Sequence, residues 1–180
     1  ELKNIEKINF AILQPNIHID DKNNSKKNSM IDTLIEKSKK HTNNNLENRL
    51  LIWPETAFNH SSNSNNRMIS GKLQDLNINL ITGVFEIKDS DTYYNSIYHL
   101  NKKNKYSLIN VNKYRKMKMV PGAEYVPFTE IFPFLNKLAL TGNFSIGEDY
   151  TLFDYSDSKF GAMVCIESTY SSLSMEFVNK

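Results

Sequence analysis

The chain is 180 residues long, enough for one sizeable hydrophobic core and too short for two ordinary domains. With 22 Lys and Arg against 20 Asp and Glu, its formal net charge of +2 is nearly balanced, which gives no reason to expect nucleic acid or a strongly acidic partner. A single cysteine excludes an internal disulfide framework and a Cys-x-x-Cys metal site, and no run approaches the roughly 20 apolar residues that cross a bilayer.

In chain order, Ile8 to Gln14 is a β-like run stopped by Pro15. Residues 17 to 28 are polar and rich in Asn, Asp and Lys, which predicts a surface loop. Ser29 to Lys40 then carries Met30, Ile31, Leu34 and Ile35 at helical spacing. Arg49 to Trp53 is a second short strand, ended by Pro54, with Glu55 immediately past its C-terminal end. Ser61 to Asn66 reads as a flexible polar loop, and Asn77 to Ile87 as a third, largely apolar strand. Tyr93 to Leu100 and Tyr106 to Val111 predict a hairpin turning through Asn101 to Lys105. The order strand, helix, strand, helix, strand, followed by paired strands, argues for an α/β layered domain. With no repeat and no low-complexity linker, residues 1 to 180 are expected to form a single domain. The chain opens at Glu1 rather than Met and stops just after its last predicted helix, so it is expected to be a piece of a longer one.

From Lys113 to Phe128 the texture changes to a long loop punctuated by Pro121, Gly122 and Pro127, and connections of that length inside a compact domain are usually functional. The aromatic and aliphatic segment Ile131 to Leu140 is either ordinary core or an apolar lid that faces lipid. Thr151 to Tyr155 predicts another strand, and Phe160 to Val164 a mostly buried one. Ser168 and Thr169, both good caps, then open a helix over Tyr170 to Val178. Cys165 therefore falls at a strand-to-helix corner, where backbone N–H groups and a helix dipole favour the nucleophilic thiolate. Taken alone, a lone cysteine after an apolar run reads more readily as a small core residue.

In a strand-rich α/β sheet, ligands collect beyond the carboxyl ends of the strands. Glu55 and Cys165 are each predicted at such an end, and Lys116 lies in the long loop. Together they would make an acyl-transfer apparatus: a carboxylate to take the thiol proton, a thiolate to attack a carbonyl carbon, an ammonium to stabilise the oxyanion. The blander readings are a helix-start carboxylate for Glu55, a solvated basic run for Lys116, and surface carboxylates for Glu124 and Glu167. Lys113 and Lys118, flanking Lys116, suggest attraction of phospholipid head groups. None of His18, His41, His60 and His99 lies in a metal-binding pattern, so they read as surface or structural residues, and no metal or cofactor is expected.

Trp53-Pro-Glu55-Thr-Ala57, then Tyr114-Arg-Lys116 leading through Met119-Val-Pro121 to Glu124-Tyr-Val-Pro127, then Val164-Cys165-Ile-Glu167, resemble in order and spacing the signature segments of the nitrilase, or carbon–nitrogen hydrolase, superfamily. Within it they are most similar to the apolipoprotein N-acyltransferase branch, which acylates bacterial lipoproteins. The resemblance runs from Ile8 to Lys180. It implies catalytic roles for Glu55, Lys116 and Cys165 and supporting roles for Glu124 and Glu167. It also implies a nitrilase-like α-β-β-α sandwich, of which the chain would hold roughly the first two-thirds. Ile166 departs from the branch, which commonly has Tyr there. The implied reaction moves a fatty acyl chain from a membrane phospholipid, through a Cys165 thioester, to the N-terminal amine of a diacylglyceryl-cysteine apolipoprotein. The implied location is the extracytoplasmic side of the bacterial inner membrane, with attachment through regions outside this chain. A soluble amidase that hydrolyses a small amide would share the same three residues, and a non-catalytic binding domain would share the scaffold.

Overall fold

The computed structural model describes residues 9–16, 27–42, 49–61, 66–126, 129, 131 and 144–180. In chain order its elements are β1 (Asn9–Ile12), α1 (Lys27–Thr42), β2 (Arg49–Ile52), β3 (Phe58–Ser61), α2 (Asn66–Gln74), β4 (Asn79–Ile87), β5 (Tyr93–Leu100), β6 (Asn112–Arg115), β7 (Leu152–Tyr155), β8 (Ser158–Gly161), a 3₁₀ turn (Cys165–Thr169) and α3 (Ser171–Val178).

Among the described residues six strands form one sheet in the order β1-β2-β4-β5-β6, with β3 also paired to β4. β1, β2, β3 and β4 run parallel, while β5 and β6 are antiparallel additions. β4 is apolar along most of its length because both faces are covered, as expected for a strand central to a layered α/β domain. Its alternate residues serve two cores. Leu80 and Val84, with Leu51 and Tyr98 from the neighbouring strands, pack against Leu34 and Ile35 of α1 and Leu73 of α2. Ile81, with Leu50, Ile97 and Tyr114, packs against Phe153 and Tyr155 of β7 and Leu173 and Phe177 of α3. The layers are thus two helices, the six-stranded sheet, the β7–β8 hairpin and α3, a mixed α/β arrangement of the expected sandwich kind.

Several predicted elements move. Helix α1 extends past both ends of the predicted Ser29 to Lys40, and most of the predicted polar loop before it lies outside the described residues. Of the predicted loop at 61–66, Ser61 closes β3 and Asn66 opens α2, and the rest is outside the described residues. The second arm of the hairpin is Asn112–Arg115, not Tyr106 to Val111. Lys105 and Tyr106 both take left-handed backbone angles, φ 52° and 53°, which ends the extended run, and Asn104 pins the turn by donating to the His99 carbonyl at 2.8 Å. Tyr106, Leu108 and Val111 are apolar because they fill the first core from a loop. The predicted loop from Lys113 begins only after Arg115. The strand before Cys165 is Ser158–Gly161, shifted toward the N-terminus of Phe160 to Val164, and it pairs with β7 rather than entering the large sheet. The Ser168 and Thr169 hydroxyls donate back to the carbonyls of Cys165 and Ile166, so they brace the 3₁₀ turn, and α3 starts at Ser171 with Tyr170 as its N-cap. The segment Ile131 to Leu140 lies outside the described residues except for Ile131, which is exposed. No helix among the described residues is long and apolar enough to cross a membrane.

The buried titratable groups set an acid limit on this fold. Burial lowers the pKa of His60 and His99 below 6.5, so the folded protein holds them neutral while the unfolded chain takes up protons as the pH drops through that value. For Glu86, burial alone would raise the pKa, but hydrogen bonds from Arg115, Lys113 and Ser96 outweigh it and bring the value from 4.5 to about 2. Its contribution is present above 4.5 and is lost as the pH falls from there toward 2. Scanning calorimetry should find Tm declining once the pH passes below about 6.5 and falling more steeply below about 4.5; a Tm constant from pH 7 to pH 3 would contradict this account.

Candidate active site

The turn that carries Glu55 interrupts the ladder along one side of β4. β2 pairs with the first half of β4 and β3 with the second half, both parallel, so the chain leaves the ladder after Ile52 and rejoins it at Phe58. Across the gap, Trp53 N–H donates to Ile81 O at 2.9 Å, Gly83 N–H to Pro54 O at 3.2 Å, and Ala57 N–H to Gly83 O at 2.9 Å. Thr56 is left-handed at φ 50°. The buried Trp53 indole donates to Ser38 of α1 at 3.0 Å, which anchors the turn to the helix layer. Gly83 is the floor of the turn. A Cβ there would lie 2.5 Å from Glu55 Cα, 2.7 Å from Thr56 N and 2.8 Å from Pro54 O, so only glycine admits this approach.

Lys116 is the residue after β6, and its backbone is held on both sides. Its N–H donates to Asn95 O at 2.8 Å, and its carbonyl accepts from Gly147 N–H at 2.9 Å. The side chain is fully buried, not part of a solvated loop. Its ammonium meets both Glu124 carboxylate oxygens at 2.7 Å, and Glu124 Oε2 also accepts the Val120 N–H at 2.9 Å. Asn95, on β5, joins this pair to Glu55: its Nδ2 donates to Glu55 Oε1 at 2.6 Å and to Glu124 Oε1 at 3.3 Å. The Asn95 Oδ1 is buried and unpartnered among the described residues.

Cys165 opens the 3₁₀ turn in a left-handed conformation, φ 52°, and is exposed, which rules out the core-residue reading. The only helical turn it heads is that short one, since α3 begins six residues later. Glu167 fixes this corner. Its fully buried carboxylate takes the Tyr114 hydroxyl at 2.7 Å, the N–H groups of Met117 and Lys118 at 2.7 and 3.0 Å, and the N–H of Val164 at 2.8 Å. Those amides immediately follow Lys116 and immediately precede Cys165. Burial, reinforced by the Glu167 bond, pushes the Tyr114 hydroxyl pKa well above its usual range, which keeps it a donor.

A cavity of about 310 Å³ opens between the sheet and the hairpin. Ile52, Glu55, Ile81, Asn95 and Ile97 line one side, and residues from Phe160 to Cys165 line the other. Of the five predicted site residues, Glu55 and Cys165 thus share a cavity, and Lys116 and Glu124 connect to Glu55 through Asn95. Glu167 holds the two loops together from below. Neither Glu55 nor Lys116 hydrogen-bonds the thiol. Glu55 is followed by β3 and so does not start a helix. The flanking cation Lys113 is tied to Glu86 at 2.6 Å. His60 and His99 are buried, and His60 contacts the Tyr98 hydroxyl at 2.9 Å. Sequence reasoning missed Asn95, Tyr114 and Gly83. A glycine inside an apolar strand was the available signal for Gly83.

A family model described as carbon–nitrogen hydrolase matches residues 10–180. The chain belongs to the carbon–nitrogen hydrolase family. Curated relatives are acyltransferases: the apolipoprotein N-acyltransferase of Geobacter metallireducens is 33% identical over 138 residues, covering 72% of this chain and 25% of that protein. That of Bdellovibrio bacteriovorus is 32% identical over 151 residues, covering 73% and 26%. The chain therefore spans about a quarter of the length of these relatives. A solved carbon–nitrogen hydrolase from Helicobacter pylori superposes with a TM-score of 0.66 at 18% identity, over 96% of this chain and 56% of that one, a likeness of fold.

Two substitutions probe the carbon–nitrogen hydrolase scaffold. Gly83→Ala should cost about 1–3 kcal/mol, because the contacts it meets are backbone atoms that cannot rotate away. Glu167→Ala leaves three backbone donors and a tyrosine hydroxyl without their acceptor and should cost at least about 3 kcal/mol. Urea unfolding measures both, and a change below about 0.5 kcal/mol in either would refute the corresponding contact.

Proposed function

We propose that Cys165 is the acyl-carrying nucleophile of an N-acyltransferase, with Glu55 as its general base and Lys116 as the cation that stabilises the oxyanion. The observation that carries this reading is the placement of Glu55 and Cys165 on facing walls of one cavity, with the buried Lys116 ammonium linked to Glu55 through Asn95 and Glu124. Glu55 takes the thiol proton and the thiolate attacks the ester carbonyl of a phospholipid. The tetrahedral oxyanion collapses, the C–O bond breaks, and the leaving alkoxide recovers the proton from Glu55, giving a lysophospholipid and a Cys165 thioester. The N-terminal amine of a diacylglyceryl-cysteine apolipoprotein then attacks the thioester, Glu55 accepts its proton, the C–S bond breaks, and an amide forms as the thiolate is restored. Glu124 orients the Lys116 side chain, and Glu167 sets the distance between the two loops.

The cavity walls favour an acyl chain over a small polar amide: Ile52, Ile81, Ile97, Phe160 and Met163 are apolar. The names of the curated relatives support the same substrates, and the quarter-length match supports residues 1 to 180 as part of one catalytic domain in a longer chain. In that setting other regions attach the protein to the inner membrane and the domain works on its extracytoplasmic side. Hydrolysis of a small amide would use the same three residues with water as the second nucleophile.

In the full-length protein, Cys165→Ala should abolish transfer and give no acyl adduct on residue 165 by mass spectrometry after incubation with phospholipid. Lys116→Ala should lower kcat by about 10²–10³-fold, and Glu55→Gln should lower it comparably. Acyl transfer surviving in Cys165→Ala would refute the mechanism, and ammonia release from small amides without acyl transfer would favour hydrolysis.

A further inference from the structure

The face of the sheet opposite the cavity holds an ionic cluster, built from two partly exposed cations around a buried carboxylate, that the reaction does not use. Glu86, on β4, is 4% exposed. Its Oε1 accepts Lys113 Nζ at 2.6 Å and Arg115 Nη2 at 2.7 Å, and its Oε2 accepts Arg115 Nε at 3.0 Å and Ser96 Oγ at 2.8 Å. The Arg115 guanidinium also stacks 3.9 Å from the Tyr94 ring. The cluster ties together three adjacent strands, β4, β5 and β6. We propose that Glu86 is a positioning residue for Lys116: by requiring two cations on its own face, it selects the register of β6 that delivers Lys116 to the cavity face.

The need for such a device is written in β6 itself. It is four residues long, lies at the end of the strand order, and is followed at once by Lys116. Side chains alternate between faces, so a slip of one residue would carry Lys116 to the Glu86 side. The local sequence, Lys113-Tyr-Arg-Lys-Met-Lys118, offers cations at four of six positions, so charge alone does not say which one belongs at the site. In the observed register, Tyr98 faces Lys113 and Ser96 faces Arg115, which presents two cations to Glu86. A slip of one residue would present Asn112 with Tyr114, or Tyr114 with Lys116. A slip of two would present Val111 with Lys113, or Arg115 with Met117. Within two residues either way, only the observed register satisfies the carboxylate twice. Buried ion clusters rarely add net stability, because removing the charges from water offsets their attraction, and fixing register is their best-attested use.

The structural part of this inference is independent of the reaction, while its kinetic consequence rests on the role proposed for Lys116. The test is Glu86→Gln in the full-length protein, with the structure determined by cryo-electron microscopy and transfer assayed alongside. Because an unpaired pair of cations can itself prevent folding, the combined variant Glu86→Gln, Lys113→Gln, Arg115→Gln, which buries no lone charge, is run in parallel. The expected result is a β6 that has slipped or lost its pairing, with Lys116 Nζ beyond the roughly 4 Å reach of an ion pair to Glu124. A kcat reduced about 10²-fold with little change in KM should accompany it. Native β5–β6 pairing with Lys116 still on Glu124 in a folded variant would overturn the inference, whatever the activity. Failure of both variants to fold would also overturn it, since the cluster would then hold the sheet together and not choose its register. A displaced Lys116 with unchanged transfer would leave the register role standing and refute the function proposed for Lys116.

Discussion

One carboxylate holds the molecule's working parts in relation to each other. Glu167 is fully buried and accepts four hydrogen bonds, from the Tyr114 hydroxyl, from the two amides just after Lys116, and from the amide just before Cys165. A buried anion is costly unless donors surround it, and here every donor comes from a segment whose position matters. The bonds therefore hold the lysine loop and the cysteine turn to one another, although some 50 residues separate them in sequence. β6 and the start of the β7–β8 hairpin also meet through the Asn112 amide on Leu152 O at 3.1 Å and the Thr151 hydroxyl on Lys113 O at 2.9 Å, while the apolar packing beside them is nondirectional and tolerates small slides.

The second constraint is the approach of the Glu55 turn to Gly83. Interrupting the ladder along β4 between β2 and β3 puts a carboxylate above the sheet without a long loop, and the backbone bonds to Gly83 and Ile81 keep it there. Both this turn and the cysteine turn contain a non-glycine residue with positive φ, Thr56 and Cys165. Such conformations are unfavourable for these residue types and persist where the surroundings fix them. Asn95 then couples the Glu55 turn to the Lys116–Glu124 pair.

Much of this was legible in the sequence, and the parts that were not share a physical cause. The strands around Leu51, Ile81 and Phe153 show as apolar runs because burial demands it, and the three motif segments mark the site because their residue types are chemically particular. Lys116 and Glu124 were separable from their charged neighbours only through the family resemblance, since a basic run looks the same whether it is solvated or buried. β3 escaped notice because Phe-Asn-His-Ser is short and polar, with His60 as an inward residue whose partner is a tyrosine hydroxyl. The hairpin was misplaced by its own apolar turn: Tyr106, Leu108 and Val111 look like a strand because they are buried, while left-handed residues make the segment a loop. Asn95 and Glu86 are polar residues in β-strands, and alternation cannot say whether such a residue meets solvent, a catalytic group or a salt bridge.

The two cores draw on different parts of the polypeptide. The helix-facing core is assembled from residues between Ala11 and Val111, whereas the cavity-facing core depends on Phe153, Val164, Leu173 and Phe177 as well. During synthesis, the segments of the first core leave the ribosome well before Cys165 has been polymerised. Cys165 and the cavity-facing segments around it therefore follow the whole of the helix-facing core in order of synthesis, and the cavity can close only after the sequence of that first core has been made.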